Sequence, residues 1–254
     1  VIGYLEYGDS AILADTLTEI FATYPRENAH ALMNILGTHD TERILSVLGD
    51  KEYFGLSAAE LSERRLTDDA LIKAKKLLKI ASAIQYTVYG VPSVYYGDEA
   101  GMQGYRDPFC RMPMPWHELD VPYRAELLAF YQKLGQFRRA SNAFKSGEFV
   151  PHYANFGEIA YMRKSQHETV LVAASSLALP PSWFLIRAIF SATCSFVFIL
   201  THLIDSHSVV NVVAVHHYRI VERQVGGRRI SDVAAVGICR VLGYGANRIA
   251  AVGI

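Results

Sequence analysis

The sequence predicts an α/β fold on three observations. The apolar run Ala31–Gly37 follows a helical pattern and releases His39 and Asp40 side by side. A second helical pattern over 68–88 leads into Val91–Tyr96, whose end again delivers acidic residues, Asp98 and Glu99. From Gly147 the apolar period shortens toward two, the period of antiparallel strands. Alternating helices and buried strands imply a parallel sheet covered by helices. In such sheets ligands and catalytic groups gather at the C-terminal ends of strands, which points to His39 and Asp40.

Residues 10–24 read as the first helix. Ser10 is expected to cap it, Leu13, Leu17, Ile20, Phe21 and Tyr24 share one face, and Pro25 ends it. The run 31–37 is then expected as a buried strand, and Glu42–Leu48 as a short helix closed by Gly49. Residues 50–66 are charged and expected on the surface. Thr67 followed by Asp68 and Asp69 is a strong helix start, with acidic groups set against the N-terminal dipole. The helix carries a stripe of Leu71, Ala74, Leu77, Leu78, Ala81, Ile84 and Val88, with Lys75 and Lys79 away from it. Gly90 and Pro92 stop it, and Val91–Tyr96 makes a second buried strand. After a long loop, Pro122 opens a helix whose Leu127, Tyr131, Leu134 and Phe137 face one side. Short strands follow at Glu148–Tyr153, Glu158–Arg163 and Thr169–Ala173, the first two joined by a turn at Asn155-Phe156-Gly157.

With 254 residues and 51% hydrophobic content, the chain can bury a full core in one or two domains. Its formal net charge of zero offers no field for nucleic acid, and no such partner is expected. The three cysteines, Cys110, Cys194 and Cys239, are odd in number and lack metal-ligand spacing. They imply free thiols in a reducing compartment, so a cytoplasmic protein is expected. No signal peptide is visible, and the absence of an initiator Met suggests a start inside a longer gene product. His216-His217 lacks a third ligand at metal spacing, so no metal and no cofactor are expected.

Two stretches carry a more specific signal: Asn34-Ile35-Leu36-Gly37-Thr38-His39-Asp40-Thr41-Glu42-Arg43, and Gly90-Val91-Pro92-Ser93-Val94-Tyr95-Tyr96-Gly97-Asp98-Glu99-Ala100-Gly101-Met102 with Asp107-Pro108-Phe109-Cys110-Arg111 behind it. In this order they resemble the last two strands of the catalytic barrel of the α-amylase family of glycoside hydrolases, in its neopullulanase and cyclomaltodextrinase branch. The resemblance covers residues 10–174. It implies the C-terminal part of a (β/α)8 barrel over 1–137 and the start of a β-sandwich domain over 138–174. It also implies a retaining enzyme acting on α-glucans or maltooligosaccharides. Such an enzyme needs two carboxyl groups flanking the glycosidic carbon, and this family adds a third acid that grips sugar hydroxyls.

By resemblance Asp40 is that third acid, and His39 donates to a hydroxyl of the same sugar. The plain alternative is that both residues cap the helix beginning at Glu42. Asp107 and Arg111 by resemblance line the subsites for the non-reducing end, with a loop salt bridge as the equal alternative. Asp98 and Glu99 are structural by the same resemblance. Tyr105 and Trp116 are candidates for stacking on sugar faces, although loop aromatics more often pack. The family's nucleophile, an Asp in a Gly-x-Arg-x-Asp context, and its acid/base Glu have no counterpart here. Among residues 1–30, Glu6, Glu19 and Glu27 do not end an apolar run. A full barrel takes about 250 residues, so this chain alone is expected to be inactive.

All eight lysines fall in 1–164, and the remainder turns rich in Val, Ala, Ile and Arg. The 175–254 tail therefore reads as unassigned, from a frame shift or a fusion. Within it Ser182–Ile204 is mostly apolar and exceeds the about 20 residues that span a bilayer, which makes a membrane anchor the second reading.

Overall fold

The computed structural model describes residues 1–166 and 168–177 in full, and beyond them the backbone of strands 196–201, 212–216, 219–225 and 228–234. Three helices, α1 (Ile2–Tyr7), α2 (Ser10–Thr23) and α3 (Arg26–Ala31), lead into strand β1 (Met33–Ile35). Helices α4 (Ile44–Gly49), α5 (Ala58–Glu63) and α6 (Asp68–Thr87) follow, then β2 (Val91–Ser93). β1 and β2 pair in parallel, Met33 opposite Val91 and Ile35 opposite Ser93, so α6 is the crossover of a β-α-β unit. Helices α7 (Pro122–Ala140) and α8 (Asn142–Ser146) lead to the antiparallel strands β3 (Glu148–Asn155), β4 (Glu158–Lys164) and β5 (Thr169–Ser175). β6 (Phe196–Thr201) joins β5 in parallel, and β7 (Val212–His216) pairs antiparallel with β6. β8 (Arg219–Val225) and β9 (Arg228–Ala234) form a separate hairpin.

The helical elements arise where their caps and apolar faces put them. Thr67 Oγ1 accepts from the Ala70 amide at 3.3 Å and starts α6. At α5, Ser57 and Glu60 form a reciprocal capping box. The stripe of α6 is buried from Ala74 to Ile84 and shares one core with Leu45 and Leu48 of α4, Tyr161 of β4, and Val170 and Val172 of β5. Each fully buried leucine there contributes about 1.5–3 kcal/mol of transfer free energy. The first helix reaches the same core: Tyr4 Oη donates to the Gly157 carbonyl at 3.1 Å, and Gly157 N donates to the Gly8 carbonyl at 2.9 Å.

Three expectations need correction. Ser10 does not cap α2 but is its first residue, and Asp9 before it makes no side-chain cap bond. Lys79 is buried, not outside the packed face, because α7 covers that side of α6 and Glu126 receives both Lys75 and Lys79. The β1 and β2 strands are short and not buried: Met33, Ile35 and Val91 are 64%, 51% and 51% exposed. The side chain turned toward α6 is polar. Asn34 Nδ2 donates to the Tyr89 carbonyl at 2.6 Å, and Gln85 Nε2 returns a bond to the Asn34 carbonyl at 2.8 Å. Among the described residues β1 and β2 pair only with each other, and Met33, Ile35 and Val91 on the opposite face are open.

The membrane reading of 182–204 is also corrected. Most of that stretch lies outside the described residues, but Phe196–Thr201 is a β-strand and not part of a spanning helix. Among the described residues no helix is long and apolar enough to cross a membrane. The expected origin of the tail, by frame shift or fusion, concerns residues that largely lie outside those described. The expected tract at His216-His217 extends past the described strand as well.

Candidate functional site

The site begins where β1 gives way to a tight turn. A Cβ on Gly37 would lie 2.5 Å from Asp98 Oδ2, so any larger residue at the strand end would push the Asp98 carboxyl aside. The next four residues tie themselves together: Thr38 N donates to Thr41 Oγ1 at 3.0 Å, and Asp40 N donates to Thr38 Oγ1 at 3.2 Å. This turn turns His39 and Asp40 outward, 67% and 68% exposed, with His39 Nε2 3.1 Å from Asp40 Oδ2. Neither caps a helix. α4 begins at Ile44, and its N-cap, Arg43, makes no side-chain cap bond.

The loop after β2 closes over the same turn. Arg111 Nε donates to the His39 carbonyl at 3.1 Å, and Cys110 Sγ donates to the same oxygen at 3.2 Å. Arg111 Nη2 stands 3.0 Å from Asp107 Oδ1 and 3.7 Å from Asp40 Oδ1. His39, Asp40, Asp107 and Arg111, chosen from two stretches almost 70 residues apart in sequence, therefore form one cluster. Arg111 does more there than form a loop ion pair, because it also grips the backbone beneath the His-Asp pair. No group of His, Cys, Asp or Glu among the described residues is arranged to hold a metal ion.

Arg43 is the residue the sequence reading missed. Its side chain is fully buried, with the guanidinium carbon 4.3 Å from the centre of the Tyr95 ring and 4.6 Å from that of Tyr96. Nη1 donates to the Tyr96 carbonyl and, at 3.2 Å, to Asp98 Oδ1. The Arg43 amide donates to the Gly104 carbonyl at 3.0 Å, so one residue joins the His-Asp turn to both segments of the β2 loop. Burial pushes the Asp98 carboxyl up to about 7, with Arg43 pulling it back and Glu99 adding to the rise. One signal for Arg43 was present: a cation at a helix N-terminus opposes the dipole and calls for a reason.

The charged 50–66 excursion is anchored from the same loop. Tyr105 is fully buried, which removes it as a sugar-stacking candidate, and its Oη donates to Asp50 Oδ2 at 2.6 Å. Arg64 Nη2 reaches Asp50 Oδ1 at 3.0 Å and its Nε bonds Oδ2. The hydrogen bonds from Arg64, and then those from Tyr105 and the Glu52 amide, outweigh burial and hold Asp50 well below the usual carboxylate range. A depressed acid stabilises the fold above its ordinary pKa, about 4, and that contribution disappears as pH falls below it. Asp50→Asn is thus expected to lower stability at pH 7 and to flatten its decline between pH 4 and pH 2. Urea unfolding across that range checks both. Trp116 remains exposed on the turn after the loop.

Comparison with known proteins supplies the context for this cluster. Over 156 residues the chain is 36% identical to an amylopullulanase of Thermoanaerobacter thermohydrosulfuricus, covering 61% of this chain and 10% of that protein. Over 174 residues it is 31% identical to a cyclomaltodextrinase of a Bacillus species, covering 67% of this chain and 26% of the other. Among solved structures it superposes on the cyclic α-maltosyl-(1→6)-maltose hydrolase of Arthrobacter globiformis with a TM-score of 0.51 and 26% identity, over 66% of this chain and 33% of that one. The chain thus spans about a quarter or less of the curated relatives' length. Residues 8–168, more than half of the chain, match the catalytic-domain model of alpha-amylase, and the protein belongs to that family.

Proposed function

We propose that residues 8–168 form the C-terminal part of an alpha-amylase-type catalytic domain that cleaves α-glucosidic bonds of α-glucans or maltooligosaccharides by a retaining mechanism. Asp40 is the third acid of that domain. It accepts hydrogen bonds from hydroxyls of the sugar at the cleavage point and favours its distortion toward the oxocarbenium-like transition state. His39 donates to the same sugar, and Asp107 with Arg111 binds toward the non-reducing end. The observation that carries this reading is the exposed Asp40 carboxylate, set in one cluster with His39 at 3.1 Å and the Asp107–Arg111 pair beyond.

The nucleophile and the acid/base carboxyl belong to the portion of the domain that precedes these strands. Here the acids of residues 1–30 lie on or between α1 to α3, and Glu6 is engaged by Lys51. The open surfaces fit such an arrangement. Met33, Ile35 and Val91 present an open apolar face, and a cleft of about 290 Å³ runs beside β2 among Tyr86, Val94, Tyr96, Glu99, Tyr131 and Gln132. Glu99 Oε2 is buried there without a hydrogen-bond partner, a state that favours added polar groups over a dry wall. A reducing, cytoplasmic setting suits the buried free thiol of Cys110.

The test is reconstitution. The full chain is co-expressed with the preceding portion of the Bacillus cyclomaltodextrinase catalytic domain, and glucose and maltose release from maltooligosaccharides is followed. No turnover by the chain alone, and turnover by the pair, is the expected result. A co-purifying, folded pair that releases nothing would sink this reading.

A further inference from the structure

We infer that Phe54 is a saccharide-stacking platform, an additional binding position that extends the Asp40 cluster toward longer α-glucan chains. The inference rests on the function proposed above and deepens it.

Phe54 is 76% exposed, more than any other large hydrophobic side chain among the described residues. It is nevertheless not a loose side chain. One face of its ring stacks on Tyr53, with centroids 4.3 Å apart and planes inclined by 24°. Tyr53 in turn leans on Tyr105 at 5.2 Å, and Tyr105 is buried and bonded to Asp50. Asp50 closes the chain of support through Arg64. The stack therefore fixes the inner face of Phe54 and leaves the outer face bare. The inner face is thus held in place while the outer one stays open to a ligand.

The turn that presents the ring is built for exposure. Gly55 has φ +81°, and a Cβ there would meet nothing within 4 Å, so the chain reverses in open solvent. The Leu56 amide donates back to the Tyr53 carbonyl at 3.4 Å.

Two links place this platform beside the candidate site and not elsewhere on the surface. Arg106 Nη2 donates to the Leu56 carbonyl at 3.0 Å, and Arg106 immediately precedes Asp107. Burial raises the Tyr53 pKa, and the next cause is the negative charge of Glu42, two residues beyond Asp40. The platform is thus tied to both halves of the cluster, the His-Asp turn and the Asp107–Arg111 loop. A flat, electron-rich ring with one free face suits the C–H face of a glucosyl unit, while neighbouring charged side chains supply hydrogen bonds to its hydroxyls. Because Phe54 lies on a separate loop, it is a position for added sugar units and not for the unit at Asp40.

The test uses the full chain and two defined sugars, maltotriose and maltoheptaose, with dissociation constants from isothermal calorimetry. Wild type should bind maltoheptaose more tightly than maltotriose. Phe54→Ala should weaken maltoheptaose by about tenfold, the size of one lost stacking contact, and leave maltotriose unchanged. Phe54→Trp should restore the preference, an outcome a purely structural role would not produce. Circular dichroism should show the same folded content in all three. Equal affinity of wild type and Phe54→Ala for maltoheptaose overturns the platform and leaves the proposed function standing. So does a change of self-association in Phe54→Ala, measured by sedimentation, without a change in sugar affinity. A folded wild type that binds neither sugar overturns the platform, while the proposed function is decided separately by turnover of the reconstituted pair.

Discussion

Asp40→Asn in the reconstituted domain is expected to cut turnover on maltooligosaccharides by about 10²–10³, the usual cost of removing one preorganised group that stabilises a transition state. Fold and assembly should be untouched, because the side chain is 68% exposed and its neighbours do not depend on its charge for burial. Asn keeps the size and one acceptor oxygen but loses the charge that strengthens as the sugar ring becomes cationic. The loss should therefore fall on kcat and kcat/KM together, with little change in KM. Steady-state kinetics and a thermal melt of the same preparation check this. Near-normal turnover would remove Asp40 from the role assigned to it.

Arg43→Met is expected to give the largest loss of stability, about 3–5 kcal/mol at pH 8, from removing one partner of a buried ion pair. That is a large share of the about 5–15 kcal/mol that holds a typical domain together. The loss comes from three places: the hydrogen bond to the Tyr96 carbonyl, the contact with the Tyr95 and Tyr96 rings, and the Asp98 carboxylate left unopposed. The pH dependence separates the last from the others. Asp98 is raised to about 7 in the fold, so its contribution is full below the ordinary carboxylate pKa and is lost as pH rises toward 7. Without Arg43 the carboxyl rises further, and the decline extends to higher pH. Chemical denaturation should accordingly find a smaller penalty at pH 5, where Asp98 holds its proton, than at pH 8. An equal penalty at both would mean that Asp98 plays no part in it.

The outcome separates what pattern reveals from what only a folded neighbour can. His39 and Asp40 were legible because an apolar run ends just before them, whereas Asp107 and Arg111, deep in the loop after β2, were singled out only by the family resemblance. Helices α2, α6 and α7 were legible to within a residue or two, since proline, threonine caps and apolar stripes are local signals. The burial of Lys79 was not, because it depends on Glu126 on a helix 47 positions later. Arg43 was hidden for the same reason: its partners Tyr95, Tyr96 and Asp98 are supplied by the β2 loop. The apolar letters of Met33, Ile35 and Val91 record a demand for cover but say nothing about which segment provides it. Asn34 shows the converse, a polar residue inside an apolar run whose amide replaces an absent backbone partner between strand and helix.

The bond from Tyr4 to the Gly157 carbonyl bears on how the chain acquires its structure in time. Its two ends are separated by 153 residues, and the core that surrounds Tyr4 also draws on Val170 and Val172. Contacts of such long sequence separation close late, because the entropy of joining distant segments is lost before the contact is gained. During synthesis at about 5–20 residues per second, the first helix waits roughly ten seconds or longer for the strands it will pack against. Through that interval Tyr4, Leu5 and Leu13 lack the strands that complete their core, so this helical segment settles only after β5 has formed.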